Sequence, residues 1–204
     1  MLLYHRGDCP FCWKVRLAAA FRGISCEFVD VPRGTKHPEV LRLSTSGTVP
    51  VMVDGDNIFG QSDQMLRYLD QNYPGPALFP TDPAVIGPFE VALAFSDQEF
   101  GKSIFPIATE MRRSNHAERN LEIMEEARRL FDVHLAFLFE FAGLLQASSP
   151  RALDMALFAR FAIARSVGLF SNPSSKHAVF VDWYAQMCAS RPVQDDAAQF
   201  NLII

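Results

Sequence analysis

The sequence predicts a small α/β domain followed by an all-helical one, and three observations carry that expectation. Over residues 1–74 the hydrophobic pattern switches between period 2 and period 3.6 about every ten residues. Five prolines then crowd the stretch YPGPALFPTDPAVIGP, a density that cannot continue a helix and reads as an ordered connector around residues 75–83. From 84 to 204 the pattern is helical almost throughout.

Each element follows in order. LLYH reads as a short strand, and PFCWKVRLAAAFRG as a helix closed by Gly23. CEFVDV alternates as a strand does. A loop or irregular helix is expected between this strand and the next. PVMVDGDNIFG reads as a β-hairpin, because Asp54-Gly55 and Asp56-Asn57 supply turn chemistry. SDQMLRYLDQNY places Met65, Leu66, Leu69 and Tyr73 at helical spacing. The order β-α-β, then β-β-α, makes a small sheet with helices on its faces. Beyond the connector, residues 116–145 read as one long helix of about seven turns. PRALDMALFARFAIARSVGLF and KHAVFVDWYAQMCAS read as two more, with Ser149 and Pro150 as the start of the first.

Composition narrows the function classes. A hydrophobic content of 49% with 21% charged residues is that of a folded globular chain. The net charge is −4 and no basic block occurs, which argues against a nucleic-acid surface. HLAFLFEFAGLLQ, the longest apolar stretch, is interrupted by Glu140 and too short to span a bilayer, so no membrane role is expected. MLLYHRG lacks the charged head and apolar run of a signal peptide, and the expected location is cytoplasmic. Thiols stay reduced there, so the four cysteines are not a disulfide framework.

The chemistry concentrates at GDCPFCWKVR. Cys9 stands where the first strand gives way to the first helix, with Pro10 at the first helical position. The partial positive charge of a helix N-terminus favours thiolate, so Cys9 is expected to have a lowered pKa. Cys12, a turn further in, is within disulfide reach but more covered. An exposed nucleophile and a covered resolving thiol are what a dithiol redox site needs. Lys14 and Arg16 either add positive potential or are solvated. Zinc would require two further ligands, and only isolated Cys26, Cys188 and nearby His5 are on offer. An inert core pair is the other alternative. Val49-Pro50 opens a strand; a cis bond there would turn the Val49 backbone outward for an extended peptide to pair with. Ser62 sits where an N-cap is expected, so it is a plain cap or part of a carboxylate site, with Gln61 and Asp63 placed to meet an α-amino group.

Together, CPFC, then VP, then QSD, then a proline-rich linker and a helical half resemble the glutathione transferase superfamily over nearly the whole chain. CPFC is most similar to its cysteine-type members: omega-class-like bacterial transferases and two-domain glutaredoxins with a CPxC motif. The resemblance implies a thioredoxin-like glutathione-binding domain (1–74), a linker (75–83) and an all-helical C-terminal domain (84–204). It implies glutathione as co-substrate, with no metal. Cys9 would be catalytic and Cys12 its possible resolver. Val49 would pair through its backbone with the cysteinyl part of glutathione, next to a cis Pro50. Gln61, Ser62 and Asp63 would hold the γ-glutamyl end, and Lys36, with Arg33 and His37 as alternatives, the glycine carboxylate. Other branches activate the thiol with a Tyr or Ser near the first strand; Tyr4 is expected to pack into the sheet instead. The superfamily's Ser/Thr-x-x-Asp capping box keeps Asp154 here but has Arg151 at the cap position.

Phe89, Phe95, Phe100, Phe105 and Met111 are either core or an apolar site for a small hydrophobic or disulfide co-substrate. The leading expectation is a glutathione-dependent thiol transferase. The alternatives are glutathione conjugation to hydrophobic electrophiles, and a non-catalytic or channel-like relative of the fold. Relatives of both kinds, dimeric and monomeric, leave the homodimer open.

Overall fold

Alternation along the first strand sets the frame of the N-terminal half. In β1 (Leu2–His5), Leu3 enters the main core while Tyr4 joins a smaller cluster with Val31, Val40 and Val51 on the opposite face. The computed structural model describes residues 1–113, 115–170 and 177–204. Helix α1 (Pro10–Phe21) starts on Pro10 and ends before Gly23, whose φ of +65° suits the residue that follows a helix. Strand β2 (Glu27–Asp30) runs parallel to β1, with Leu3 opposite Phe28. The stretch read as loop or irregular helix contains a short helix, α2 (Pro38–Leu43). The hairpin β3 (Val51–Asp54) and β4 (Asn57–Phe59) turns through Gly55 at φ +57°. With α3 (Ser62–Asn72) this completes a four-stranded sheet of order β2-β1-β3-β4, mixed in direction.

The connector is tied down. Arg22 donates to Asp70 at 3.1 Å and to the carbonyls of Tyr73 and Pro76. Asp70 also accepts from the Leu78 N–H at 2.8 Å, and the Leu78 carbonyl takes the Ala152 N–H at 2.9 Å. These bonds satisfy backbone groups that a proline-rich strand cannot pair in a ladder.

The helical half begins with α4 (Pro83–Phe95), passes through a π turn at Ser96–Phe100 and continues as α5 (Gly101–Met111). The long helix expected over 116–145 is shorter. A 3₁₀ turn (His116–Glu118) precedes α6 (Leu121–Phe139), and a second (Ala142–Leu144) follows it. Asn120 is the reason for the late start: its side chain accepts the Ile123 N–H at 3.1 Å and caps α6.

α7 (Ala152–Ser166) is the central helix, with twelve of its fifteen residues buried, Asp154 and Arg160 among them. Its cap differs from the expected one at Ser149. Pro150 and Arg151 precede the helix, and Asp154 accepts from the Arg151 N–H, the Gln146 N–H and Trp183 Nε1 at 2.7–2.9 Å. A guanidinium has no acceptor, so Asp154 alone does the capping, and Arg151 turns away to the Leu144 carbonyl. α8 (Ala178–Ala189) and α9 (Arg191–Gln199) close the chain; Lys176, where the last sequence-read helix was expected to begin, lies outside the described residues.

α1 packs against α3, α7 and α9, with Trp13 edge-on to Phe158 at 5.6 Å. Covered on all sides, it leaves no room for solvated cations: Lys14 and Arg16 are both buried. Among the described residues no helix is long and apolar enough to cross a membrane.

Candidate active site

Cys9 is the N-cap residue of α1, extended at φ −86° and ψ 119°, and no side chain caps the helix. The N–H groups of the first turn are therefore left toward the thiol. The loop that carries it is anchored from beneath by Arg16. That guanidinium grips Asp196 of α9 through two bonds of 2.8 and 3.1 Å and donates to the carbonyls of Arg6 and Gly7. It also touches His5 Nδ1 at 3.3 Å. Burial and the Arg16 charge together lower the His5 imidazole to about 4, with Asp30 opposing.

The two thiols are driven apart. A hydrogen bond from Cys12 lowers Cys9, burial opposes it, and the Cys12 amide, the Arg6 charge and the Phe11 amide bring the net value to about 6. Burial, then the Cys9 sulfur beside it, pushes Cys12 far up. Cys9 is only 6% exposed, so the exposed nucleophile expected from the sequence reaches solvent solely through the clefts beside it; Cys12 is fully covered.

Two hollows meet over this pair. One of about 390 Å³ holds Cys9, Arg6, Thr35 and Val49. The next, of about 350 Å³, is lined by Val49, Pro50, Gln61, Ser62 and Asp63. Phe11 and Val49 border both, so the sequence-selected residues around Val49 and Ser62 share one groove with Cys9. The Val49–Pro50 peptide is cis. Ser62 is the first residue of α3 rather than its cap; Gln61 holds the cap position and no side chain caps it. This leaves the N-terminal N–H groups of α3 toward the groove. Asp63 is paired to Arg67 at 3.1 Å. Lys36 is exposed and borders neither hollow, whereas Arg33 borders a third, described below. His37 holds the N-cap position of α2 without a side-chain bond to the helix and rests against the Tyr4 ring at 5.3 Å, and Tyr4 itself is packed in the sheet.

Sequence reasoning missed the helical half's share of this groove. Asp97 and Gln98, both in the π turn, line it opposite Ser62. Asp97 accepts from Lys14 Nζ at 2.5 Å and Arg160 Nη2 at 3.0 Å, and both cations are fully buried. Two cations against one carboxylate leave positive charge under the groove, and Arg160 interacts with the Cys9 thiolate. The only signal was a lysine inside an otherwise apolar helical face.

The third hollow, about 260 Å³, lies between the two halves on the other side of Cys9, lined by Arg6, Asp8, Arg33, Phe105, Thr109 and Arg112 among others. Of the aromatic set expected to form a co-substrate pocket, Phe105 lines it. Phe89 and Phe100 are core, and Phe95 packs on Phe137 at 4.2 Å. A hollow of about 440 Å³ between α1, β2 and α9 lies apart from Cys9; its one cysteine, Cys26, is pushed up to about 11 by burial and is a weak nucleophile. Among the described residues no cluster of His, Cys, Asp and Glu could hold a metal ion.

Known proteins resemble this chain in the sequence of its N-terminal half and in its fold. Residues 3–77 match the family model for the glutathione S-transferase N-terminal domain. Glutathione S-transferase Z1 of Arabidopsis thaliana is 35% identical over 82 residues, 39% of this chain and 36% of the relative. A stringent starvation protein A homolog of Pasteurella multocida is 25% identical over 115 residues, 56% of this chain and 52% of the relative. The chain thus spans about half, or less, of the length of these curated relatives. Among solved structures, a glutathione S-transferase from Rhodospirillum rubrum superposes with a TM-score of 0.80 at 21% identity, covering 96% of this chain and 90% of the other. A theta class glutathione S-transferase from Xanthomonas axonopodis pv. citri with glutathione bound gives 0.79 at 20% identity, with 96% and 95% covered. At those identities the likeness is one of fold.

Proposed function

The chain belongs to the glutathione transferase superfamily, and on that premise we propose that it is a glutathione-dependent thiol transferase working through Cys9. The observation that carries this reading is a thiol held near pKa 6 in a groove shared with the Val49 backbone and the open N-terminus of α3. Residues 1–74 are read as the glutathione-binding unit, with the helices of 84–204 as the opposite wall.

The groove suits glutathione end to end. The Val49 backbone offers strand-like pairing for the cysteinyl residue. The N–H groups at Ser62 suit the γ-glutamyl carboxylate, with Gln61 and Asp63 for its ammonium. The glycine carboxylate falls to the loop of residues 33–36, whose Thr35 lines the groove and whose Arg33 supplies charge from the adjoining hollow.

In the first step Cys9 thiolate attacks the glutathionyl sulfur of a mixed disulfide. The old S–S bond breaks, the released thiolate takes a proton from solvent, and a Cys9–glutathione disulfide forms. A second glutathione thiolate attacks the glutathionyl sulfur, which yields oxidised glutathione and returns Cys9 as thiolate. A low-pKa sulfur is the better leaving group in that second step. Cys12, fully covered and with its pKa raised, acts as a hydrogen-bond donor to Cys9 rather than as a resolving thiol.

Glutathione-dependent reduction of bis(2-hydroxyethyl) disulfide tests this reading. Cys9→Ser should abolish turnover, and Cys12→Ser should keep most of it because a hydroxyl still donates. Full activity in Cys9→Ser would sink the proposal. Conjugation of a model electrophile without disulfide reduction would replace it with the transferase chemistry proper.

A further inference from the structure

The hollow between the two halves carries a charge that its apolar wall does not anticipate. Phe105 and Ile163 form one side, as an apolar co-substrate would want. The mouth beside Cys9, however, gathers three guanidiniums, Arg6, Arg33 and Arg112, around the single carboxylate of Asp8. Asp8 is already engaged: Arg6 Nε donates to one oxygen at 2.6 Å and Arg33 Nη2 to the other at 2.7 Å. Arg112, at the end of α5, reaches the same carboxylate only at 3.9 Å. The nearby acid on its own helix, Glu110, is occupied by Arg113 at 2.9 Å and by the Asn120 N–H at 2.8 Å. This cationic mouth occurs in a chain whose net charge is −4, so it does not follow from overall composition.

We propose that the second substrate, the partner that meets glutathione at Cys9, is an anion with an apolar body, and that Arg112 receives its negative group. The inference rests on the glutathione-dependent reading of the site and names its substrate class. Arg6 and Arg33 share Asp8, and Arg33 belongs to the loop assigned to the glycine carboxylate of glutathione. Arg112 stands on the helical wall, is 45% exposed, and among the described residues meets a carboxylate only at 3.9 Å, on the Asp8 that Arg6 and Arg33 already hold. Burial and the charges of Arg33 and Arg6 depress its guanidinium, with Asp8 opposing, which is the condition of a cation short of counter-charge. A glutathionyl mixed disulfide of a carboxylate-bearing aromatic or aliphatic thiol would place its apolar part on Phe105 and Ile163 and its charge on Arg112.

The test reads Cys9 itself and needs no turnover. The full chain is alkylated with iodoacetate, an anion, and with iodoacetamide, its neutral counterpart, and modification of the Cys9 peptide is followed by mass spectrometry. The ratio of the two rates, divided by the same ratio for free cysteine, isolates the charge preference from thiol reactivity. A normalised ratio of about tenfold in favour of the anion is expected at low salt, shrinking as ionic strength rises. Arg112→Gln should bring it toward unity and Arg112→Lys should retain most of it. A wild-type ratio near one, or a ratio unmoved by Arg112→Gln, overturns the inference. Reduction of neutral bis(2-hydroxyethyl) disulfide, measured on the same preparations, reports on the thiol transferase reading separately. If that activity is absent while the alkylation ratio stands, the reaction class fails and the anion preference survives.

Discussion

At the scale of single residues, the decisive feature is the division of labour between Cys9 and Cys12. Both sit at one helix start, yet one is lowered to about 6 and the other raised, because only one charge can be held there and Cys12 donates to it. The rate of Cys9 alkylation by iodoacetamide should therefore follow a titration with midpoint near 6. In Cys12→Ala the midpoint should move up toward the ordinary thiol range, while Cys12→Ser should hold it closer to the native value. The same depression links to stability. Folded Cys9 ionises below the unfolded value of 9.0, so it stabilises the fold fully above pH 9, and that contribution is lost as pH falls toward 6. Chemical denaturation of wild type against Cys9→Ser should show a stability difference that grows with pH across that window.

At the scale of elements, α7 shows how one carboxylate organises a helix start. Asp154 has no exposure and binds two backbone donors and the Trp183 indole. Asp154→Ala leaves those buried donors unpaired and should cost about 2–4 kcal/mol in urea denaturation. Ser149→Ala should stay within about 0.5 kcal/mol, since Ser149 lies outside the helix. The element boundaries divide in the same way. Strands and helices with their own periodicity and local turns, such as β3–β4 around Gly55 and α1 ending before Gly23, were legible from short stretches. The start of the long helical pattern was not, because Asn115 and Asn120 accept backbone N–H bonds that compete with continued helix. Ser62 fell one residue off its expected place, with the consequence that α3 opens uncapped onto the groove.

At the scale of the whole molecule, the candidate groove is a joint product of two halves. Asp97 reaches it from the π turn and neutralises part of the charge of Lys14 from α1 and Arg160 from α7. Asp97→Ala should strand two buried cations and destabilise the fold by about 3–5 kcal/mol. Asp97→Asn, which keeps the shape and some of the hydrogen bonding, should be milder, and both should weaken glutathione binding measured by calorimetry. The proposed anion preference at Arg112 belongs to this scale as well, since Arg33 and Arg112 come from different halves.

The amino-acid sequence by itself determined the order of the elements, the thiol pair at a helix start, and the Val49-Pro50 and Ser62 positions. Those features are written in short windows, where periodicity, turn residues and helix-end chemistry act over a few neighbours. Only the tertiary structure decided that Lys14 and Arg16 are buried and paired, that Asp97 joins the groove, and that arginines crowd the mouth beside Cys9. Each of those is a meeting of charges far apart along the chain, settled by which helix faces which, and no local pattern encodes that distance.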